Sequence, residues 1–114
     1  NRGFYCVAGH SIFGHSIGMP EQAIEAIRSG TRVADERLSA LHSFVVQLVR
    51  ARGHVSSNDI DRLVHSGFAR EQIPEIVMGV TLKTFSNYAD SAMRLKLDEQ
   101  FEPAAWSGTD EDAR

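Results

Sequence analysis

Hydrophobic positions recur at three- and four-residue steps along most of the chain, which is the spacing of one face of an α-helix. Glycine, proline and capping residues divide this pattern into separate segments. No stretch shows the two-residue alternation that is typical of a β-strand. The sequence therefore predicts an all-α fold of about five helices, at Gly3–Ile17, Pro20–Ser29, Asp35–Ala51, Ser56 or Ser57 to just before Gly67, and Pro74–Met93. Asp35 is an expected N-cap, and Ser56 with Asp59 fits a capping box. Ile27 and Val64 are expected to face inward.

The last of these segments carries more hydrophobic surface than a single buried face requires. One apolar stripe contains Ile76, Val77, Val80, Thr84 and Tyr88, and a second contains Met78, Leu82, Phe85, Ala89 and Met93. A helix with two apolar stripes must be covered on both sides, and the other helices of this chain are short. We therefore expect an obligate homo-oligomer.

Residues 1–106 are predicted to form one helical domain, because a chain of 114 residues has the usual size of a single domain. Leu97, Phe101 and Trp106 are the expected anchors of an irregular C-terminal arm. Residues 107–114 are polar and acidic, so we expect this tail to be disordered.

Composition narrows the possible partners and location. The net charge is −3, and basic residues form no stripe that could follow a nucleic-acid backbone, so no nucleic-acid partner is expected. No apolar run approaches the length of a membrane span, so no membrane association is expected either. A single cysteine cannot form a disulfide within one chain, which makes a reducing, cytoplasmic location the default.

The candidate chemistry lies near the start of the chain. Cys6 precedes His10 by four residues, so on a helix the thiol and the imidazole share one face. A neighbouring His⁺ favours the thiolate, which is the reactive form of cysteine. The alternative is structural, since a lone Cys is often a small buried hydrophobe and a lone His a hydrogen-bonded core residue.

Three blocks of the sequence resemble the carboxymuconolactone decarboxylase and AhpD-like alkylhydroperoxidase family, the last being typical of its peroxidase-related branch. These blocks are Tyr5-Cys6-Val7-Ala8-Gly9-His10-Ser11, Gly18-Met19-Pro20-Glu21 and Leu82-Lys83-Thr84-Phe85-Ser86-Asn87-Tyr88. The resemblance implies an all-helical domain that assembles as a dimer, trimer or hexamer. It also implies thiol-based reduction of hydroperoxides, or decarboxylation of a lactone in other members.

The resemblance extends to particular site residues. Cys6 matches the second cysteine of the family's Cys-x-x-Cys motif, and His10 matches the histidine that follows it. Gly3 occupies the position of the first cysteine, and the glutamate of the family's proton relay would precede residue 1. The predicted function is therefore a weakened hydroperoxide reductase, with Cys6 as the peroxidatic thiol and His10 as the acid and base.

This prediction includes an external thiol reductant, a small hydroperoxide or ring substrate, and no cofactor or metal. A thiol introduced by Gly3→Cys is expected to raise the activity, because it would capture a Cys6 sulfenic acid as a disulfide. Two alternatives remain open. One is a non-enzymatic oligomeric family member, and the other is a carboxymuconolactone decarboxylase-like enzyme that uses His10 without the thiol.

Two further expectations concern the surroundings of the site. A zinc site formed by Cys6, His10 and His15 is disfavoured, because the five-residue step from His10 to His15 turns the third ligand away from the other two. Asn87 falls in the middle of the last helix, where we expect a buried structural hydrogen bond. Cys6 is expected to be partly buried near a subunit boundary.

Overall fold

The computed structural model describes residues 3–108, which form helices and loops without a β-strand. Five α-helices and two 3₁₀ helices follow one another in this part of the chain. The α-helices are α1 (Phe4–Ser16), α2 (Glu21–Ser29), α3 (Glu36–Arg50), α4 (Ser57–His65) and α5 (Ile73–Met93), and the 3₁₀ helices are Arg70–Gln72 and Glu99–Ala104. The predicted all-α class is confirmed. None of the described helices combines the length and apolar character needed to cross a bilayer.

The caps that the sequence predicts account for several helix boundaries. Asp35 accepts a hydrogen bond from the backbone N–H of Leu38 at 2.8 Å and so begins α3. Ser56 and Asp59 form a reciprocal capping box at the start of α4. Gly30 ends α2 in the left-handed conformation, with a φ of +69°. Pro20, predicted as the first helical residue of α2, is its N-cap instead.

The described chain divides into two compact units. The first unit comprises residues 3–31 and 83–108, and the second comprises residues 32–82. The boundary between them falls within α5, whose residues 73–82 belong to the second unit and whose residues 83–93 belong to the first. The single domain predicted for residues 1–106 stays a prediction, and residues 109–114 of the predicted tail lie outside the described residues.

The second unit is organised around a hydrophobic core. Phe44 and Leu48 of α3 are buried against Leu63 of α4, which is fully inaccessible to solvent. Partly buried hydrophobic residues surround these three: Leu41, Val55, Ile60, Phe68, Ile73, Ile76 and Val80. Arg37 lies over the Phe68 ring, 4.6 Å from its centroid. Val64, predicted to face inward, is exposed, although Ile60 one turn before it packs against this core.

In the first unit, α1 is packed against α2 and against the 3₁₀ helix Glu99–Ala104. The Phe101 ring lies beside Gly9 and meets the Tyr5 ring edge-on, with 5.6 Å between the ring centroids. The Trp106 ring lies 5.4 Å from that of Phe4. The predicted anchoring of the C-terminal arm by Phe101 and Trp106 is thus seen in these ring contacts.

The second apolar stripe of α5 is exposed in the single chain. Met78, Leu82, Phe85 and Met93 each expose about two-thirds or more of their surface, as does Tyr88 of the first stripe. By contrast, Ile76 and Val80 pack against the core of the second unit. Ile27 of α2, predicted to face inward, is also exposed.

Candidate functional site

The candidate site lies in the first unit and is built on α1. Gly3 is the N-cap of this helix, and its carbonyl accepts the first helical hydrogen bond from Val7 at 2.9 Å. Cys6 and His10 therefore lie one turn apart on a regular helix, as their spacing predicts. Both side chains line the same pocket.

The Cys6 thiol is half-buried, as predicted, and faces α5. Its sulfur donates a hydrogen bond to Asp90 Oδ2 at 3.2 Å and lies 3.6 Å from Ser86 Oγ. Ser86 Oγ in turn donates to the Lys83 carbonyl at 3.1 Å. The carboxylate of Asp90 is thus the group that accepts the hydrogen bond of the thiol.

His10 is exposed, and its ring is bonded to groups other than the thiol. Nδ1 lies 2.8 Å from the backbone carbonyl of Cys6, which can only accept, so Nδ1 is the protonated nitrogen. In the neutral ring Nε2 then carries the lone pair, and it lies 3.2 Å from Lys83 Nζ, which donates to it. The structure thus pairs His10 with Lys83, whereas the sequence paired it with Cys6.

The pocket has a volume of about 520 Å³, which falls within the range of small-molecule sites. Cys6, His10, Lys83 and Arg28 contribute its reactive and charged groups. Most of the remaining wall is apolar and comes from α1 and α2, with Trp106 of the C-terminal arm. A small organic molecule bound here would therefore meet the sulfur and the nitrogen groups of His10 and Lys83 together.

Asn87 is buried in the wall of this pocket, but the hydrogen bond predicted for it is not formed with any described residue. None of the described residues donates to its Oδ1. This oxygen instead lies against Gly3, so closely that a Cβ atom at residue 3 would overlap it. The glycine at residue 3 and the asparagine at residue 87 therefore depend on each other, because the Asn87 side chain occupies the space that a side chain at residue 3 would need.

Arg28 of α2 links α1 to the C-terminal arm through hydrogen bonds. Its guanidinium donates to Ser11 Oγ at 2.7 Å and to the carbonyls of Ala104 and Ala105 at 3.1 and 3.2 Å. Nε lies 3.7 Å from Glu25 Oε2. These bonds hold the chain that leads to Trp106 beside the pocket.

Tyr5 makes a second link to the same arm by donating a hydrogen bond to Asp98. This bond, helped by burial and by the negative charge of Asp98, raises the pKa of Tyr5 above its ordinary value of 10.0. The phenol therefore stays protonated at neutral pH and acts as a donor.

His15 is not among the residues that line the pocket, and its Nδ1 lies 3.2 Å from Oε2 of Glu21. In residues 3–108, no three His, Cys, Asp or Glu side chains are grouped closely enough to hold a metal ion. No protein-family profile matches this sequence, and no curated protein matches it either.

The sequence identified Cys6 and His10 but missed Asp90 and Lys83 as members of the site. Both lie on α5, and their spacing offered a weak signal. Lys83, Ser86, Asn87 and Asp90 recur at three- and four-residue steps, so they form a polar face within an otherwise apolar helix.

Proposed function

We propose that this chain is a thiol-dependent hydroperoxide reductase of the AhpD-like family, with Cys6 as the peroxidatic residue. The observation that carries the proposal is the Cys6 thiol itself, which lines a pocket of small-molecule size while donating its hydrogen to Asp90. A base in direct contact with a thiol is the arrangement that thiol nucleophiles require.

The reaction begins with transfer of the thiol proton to Asp90. The thiolate attacks the distal oxygen of the hydroperoxide, a sulfur–oxygen bond forms, and the oxygen–oxygen bond breaks. Cys6 is oxidised to a sulfenic acid, and the substrate leaves as an alkoxide. The Lys83–His10 pair, which lines the same pocket, supplies a proton to this alkoxide. The proton held by Asp90 returns to the pair through solvent.

An external thiol completes the cycle, because the chain contains no second cysteine. One reductant thiol condenses with the sulfenic acid, which releases water and leaves a mixed disulfide. A second reductant thiol then frees Cys6 and leaves as the oxidised disulfide of the reductant.

The test is to add one equivalent of an organic hydroperoxide to the protein and trap the sulfenic acid with a dimedone-type reagent. Mass spectrometry should find the adduct on Cys6. Cys6→Ser should abolish thiol-dependent turnover, whereas Ser86→Ala keeps the thiol and its base and should retain most of it. A Cys6 that alkylating reagents reach, but that forms no adduct with the trap, would rule the proposal out.

The assembly proposed with this function is a homo-oligomer. The support is the apolar stripe of α5, whose large side chains Met78, Leu82, Phe85 and Met93 are exposed in the single chain. Contiguous exposed apolar surface of this kind marks protein interfaces. Light scattering should show an assembly at micromolar concentration, and Phe85→Glu should dissociate it. A folded native monomer at that concentration would contradict it.

The pairing of His10 with Lys83 favours one second candidate. A histidine lone pair beside an ammonium group can perform acid–base work on a small ring substrate without any thiol. Cys6→Ser separates the two functions, because it removes hydroperoxide reduction and leaves this chemistry intact.

A further inference from the structure

The pocket beside Cys6 combines apolar walls with an excess of positive charge. Val7, Phe13, Ile17, Ile24 and Trp106 form much of the wall, and Lys83 and Arg28 are the cations that line it. Within the part of the chain that the structure describes, no Asp or Glu side chain lines the pocket. This lining suits a ligand with an apolar body and a negative charge.

Lys83 is the cation that such a ligand would meet. Its side chain is half-buried, and Nζ donates one of its three N–H groups to the uncharged Nε2 of His10. Among residues 3–108, no carboxylate forms an ion pair with Lys83. An ammonium that is partly removed from water without a counter-ion is costly, and a bound anion would relieve that cost.

Arg28 differs from Lys83 because its guanidinium is already occupied. Both of its terminal nitrogens donate to the Ser11 hydroxyl or to the carbonyls of Ala104 and Ala105. Its ion pair with Glu25 also offsets its charge. A single available ammonium matches a monoanionic group better than a dianionic phosphate, which is usually held by several donors.

We propose that the pocket binds amphipathic organic monocarboxylates, with the carboxylate on Lys83 and the hydrocarbon chain against the apolar walls. If the proposed function holds, the substrate is a hydroperoxide that carries such a carboxylate group; this step rests on the proposed function. Binding itself does not depend on the thiol.

Trp106 provides a direct readout, because it lines the pocket and is the only tryptophan in the sequence. Decanoate, titrated below the concentration at which it aggregates, should change the Trp106 fluorescence saturably. Decanol and decylamine, which share the chain and lack the negative charge, should bind at least about tenfold more weakly, since a charge-assisted hydrogen bond contributes about 1.5–3 kcal/mol. Decyl phosphate should bind no more tightly than decanoate.

Lys83→Met should weaken decanoate binding about tenfold and remove the preference for decanoate over decanol. Lys96→Met is the matched control, because Lys96 is exposed and lies outside the pocket lining. It should bind decanoate as the native protein does. Circular dichroism establishes that both variants are folded.

Equal affinity of the native protein for decanoate and decanol would overturn the proposal, and this comparison does not depend on whether Lys83→Met folds. Unchanged decanoate binding by a folded Lys83→Met would overturn it as well. Cys6→Ser should still bind decanoate. Failure of the hydroperoxide reductase proposal would therefore appear as normal binding without sulfenic acid, and failure of the ligand proposal as sulfenic acid without a preference for the carboxylate.

Discussion

The two compact units use their hydrophobic residues differently. In residues 32–82, Phe44, Leu48 and Leu63 are buried against one another and form a closed core. In residues 3–31 and 83–108, the buried positions include the small or polar residues Ala8, Ser11, Gly14 and Asn87, and larger apolar side chains line a pocket. Close packing stabilises the former unit, whereas the latter leaves apolar surface accessible to a ligand. The candidate site thus lies where packing is incomplete.

The largest effect is expected in the closed core. Leu63→Ala should lower the free energy of unfolding by about 2–5 kcal/mol, because it leaves a cavity in a fully buried position. Leu38→Ala, at a position 40% exposed, should cost less than half as much. Urea unfolding followed by circular dichroism measures both. Equal losses for the two variants would show that the core of the second unit is not closely packed.

In the unit with the pocket, the largest effect is expected on the rate of reaction at Cys6. Asp90→Asn should slow the reaction of Cys6 with hydroperoxide about a hundredfold, because it removes the proposed base, the carboxylate that accepts the thiol hydrogen bond. Its effect on stability should be small. Asp61→Asn, at an exposed acid in the second unit, is the control and should react at the native rate. The rate of sulfenic acid formation measures the effects of both variants. A native rate for Asp90→Asn would show that Asp90 is not the base.

The contact between Gly3 and Asn87 changes what is expected of Gly3→Cys. Alone, this substitution should destabilise the fold by about 1–3 kcal/mol, since its Cβ overlaps Asn87 Oδ1. Combined with Asn87→Ala, which removes that oxygen, it should be tolerated and should form a disulfide with Cys6 after peroxide treatment.

Asn87→Ala by itself is the control for this pair. It should leave stability unchanged or slightly raised, because Oδ1 has no hydrogen-bond partner among the described residues and Ala favours helix. Thermal unfolding and mass spectrometry follow the three variants. If Gly3→Cys were as stable alone as in the double variant, the steric explanation would fail.

The smallest effect concerns pH and the capping box of α4 in the closed unit. Hydrogen bonds from the Ser56 side chain and backbone, and from Arg62, lower the pKa of Asp59 below its ordinary value of 3.8. A carboxyl whose pKa is lower in the folded state stabilises the fold above the unfolded-state pKa, and this contribution disappears as pH falls through the folded-state pKa.

Asp59→Asn should therefore flatten the loss of stability between neutral pH and strongly acidic pH. Asp61→Asn, two residues further along the same helix, should leave that loss unchanged. Melting temperatures across this range measure the difference. An identical acid profile for native protein and Asp59→Asn would count against the capping box as a pH-dependent contribution.

Capping and periodicity predicted the helices well because both are local. Asp35, Ser56 and Gly30 each act within a few residues of the backbone groups they satisfy, so their roles can be derived from neighbours in sequence. Predictions of which side chains face inward were less accurate. Val64 and Ile27 fit an apolar helical stripe, yet their exposure depends on which other elements cover that stripe.

The sequence by itself determined the all-α class, most helix boundaries, and the placement of Cys6 and His10 one turn apart on α1. Tertiary structure alone decided which distant side chains each of them contacts. The thiol bonds to Asp90, which is 84 positions away, and the imidazole bonds to Lys83, which is 73 positions away. Local periodicity carries no information about such partners, because they are brought together by the packing of helices that are distant in sequence.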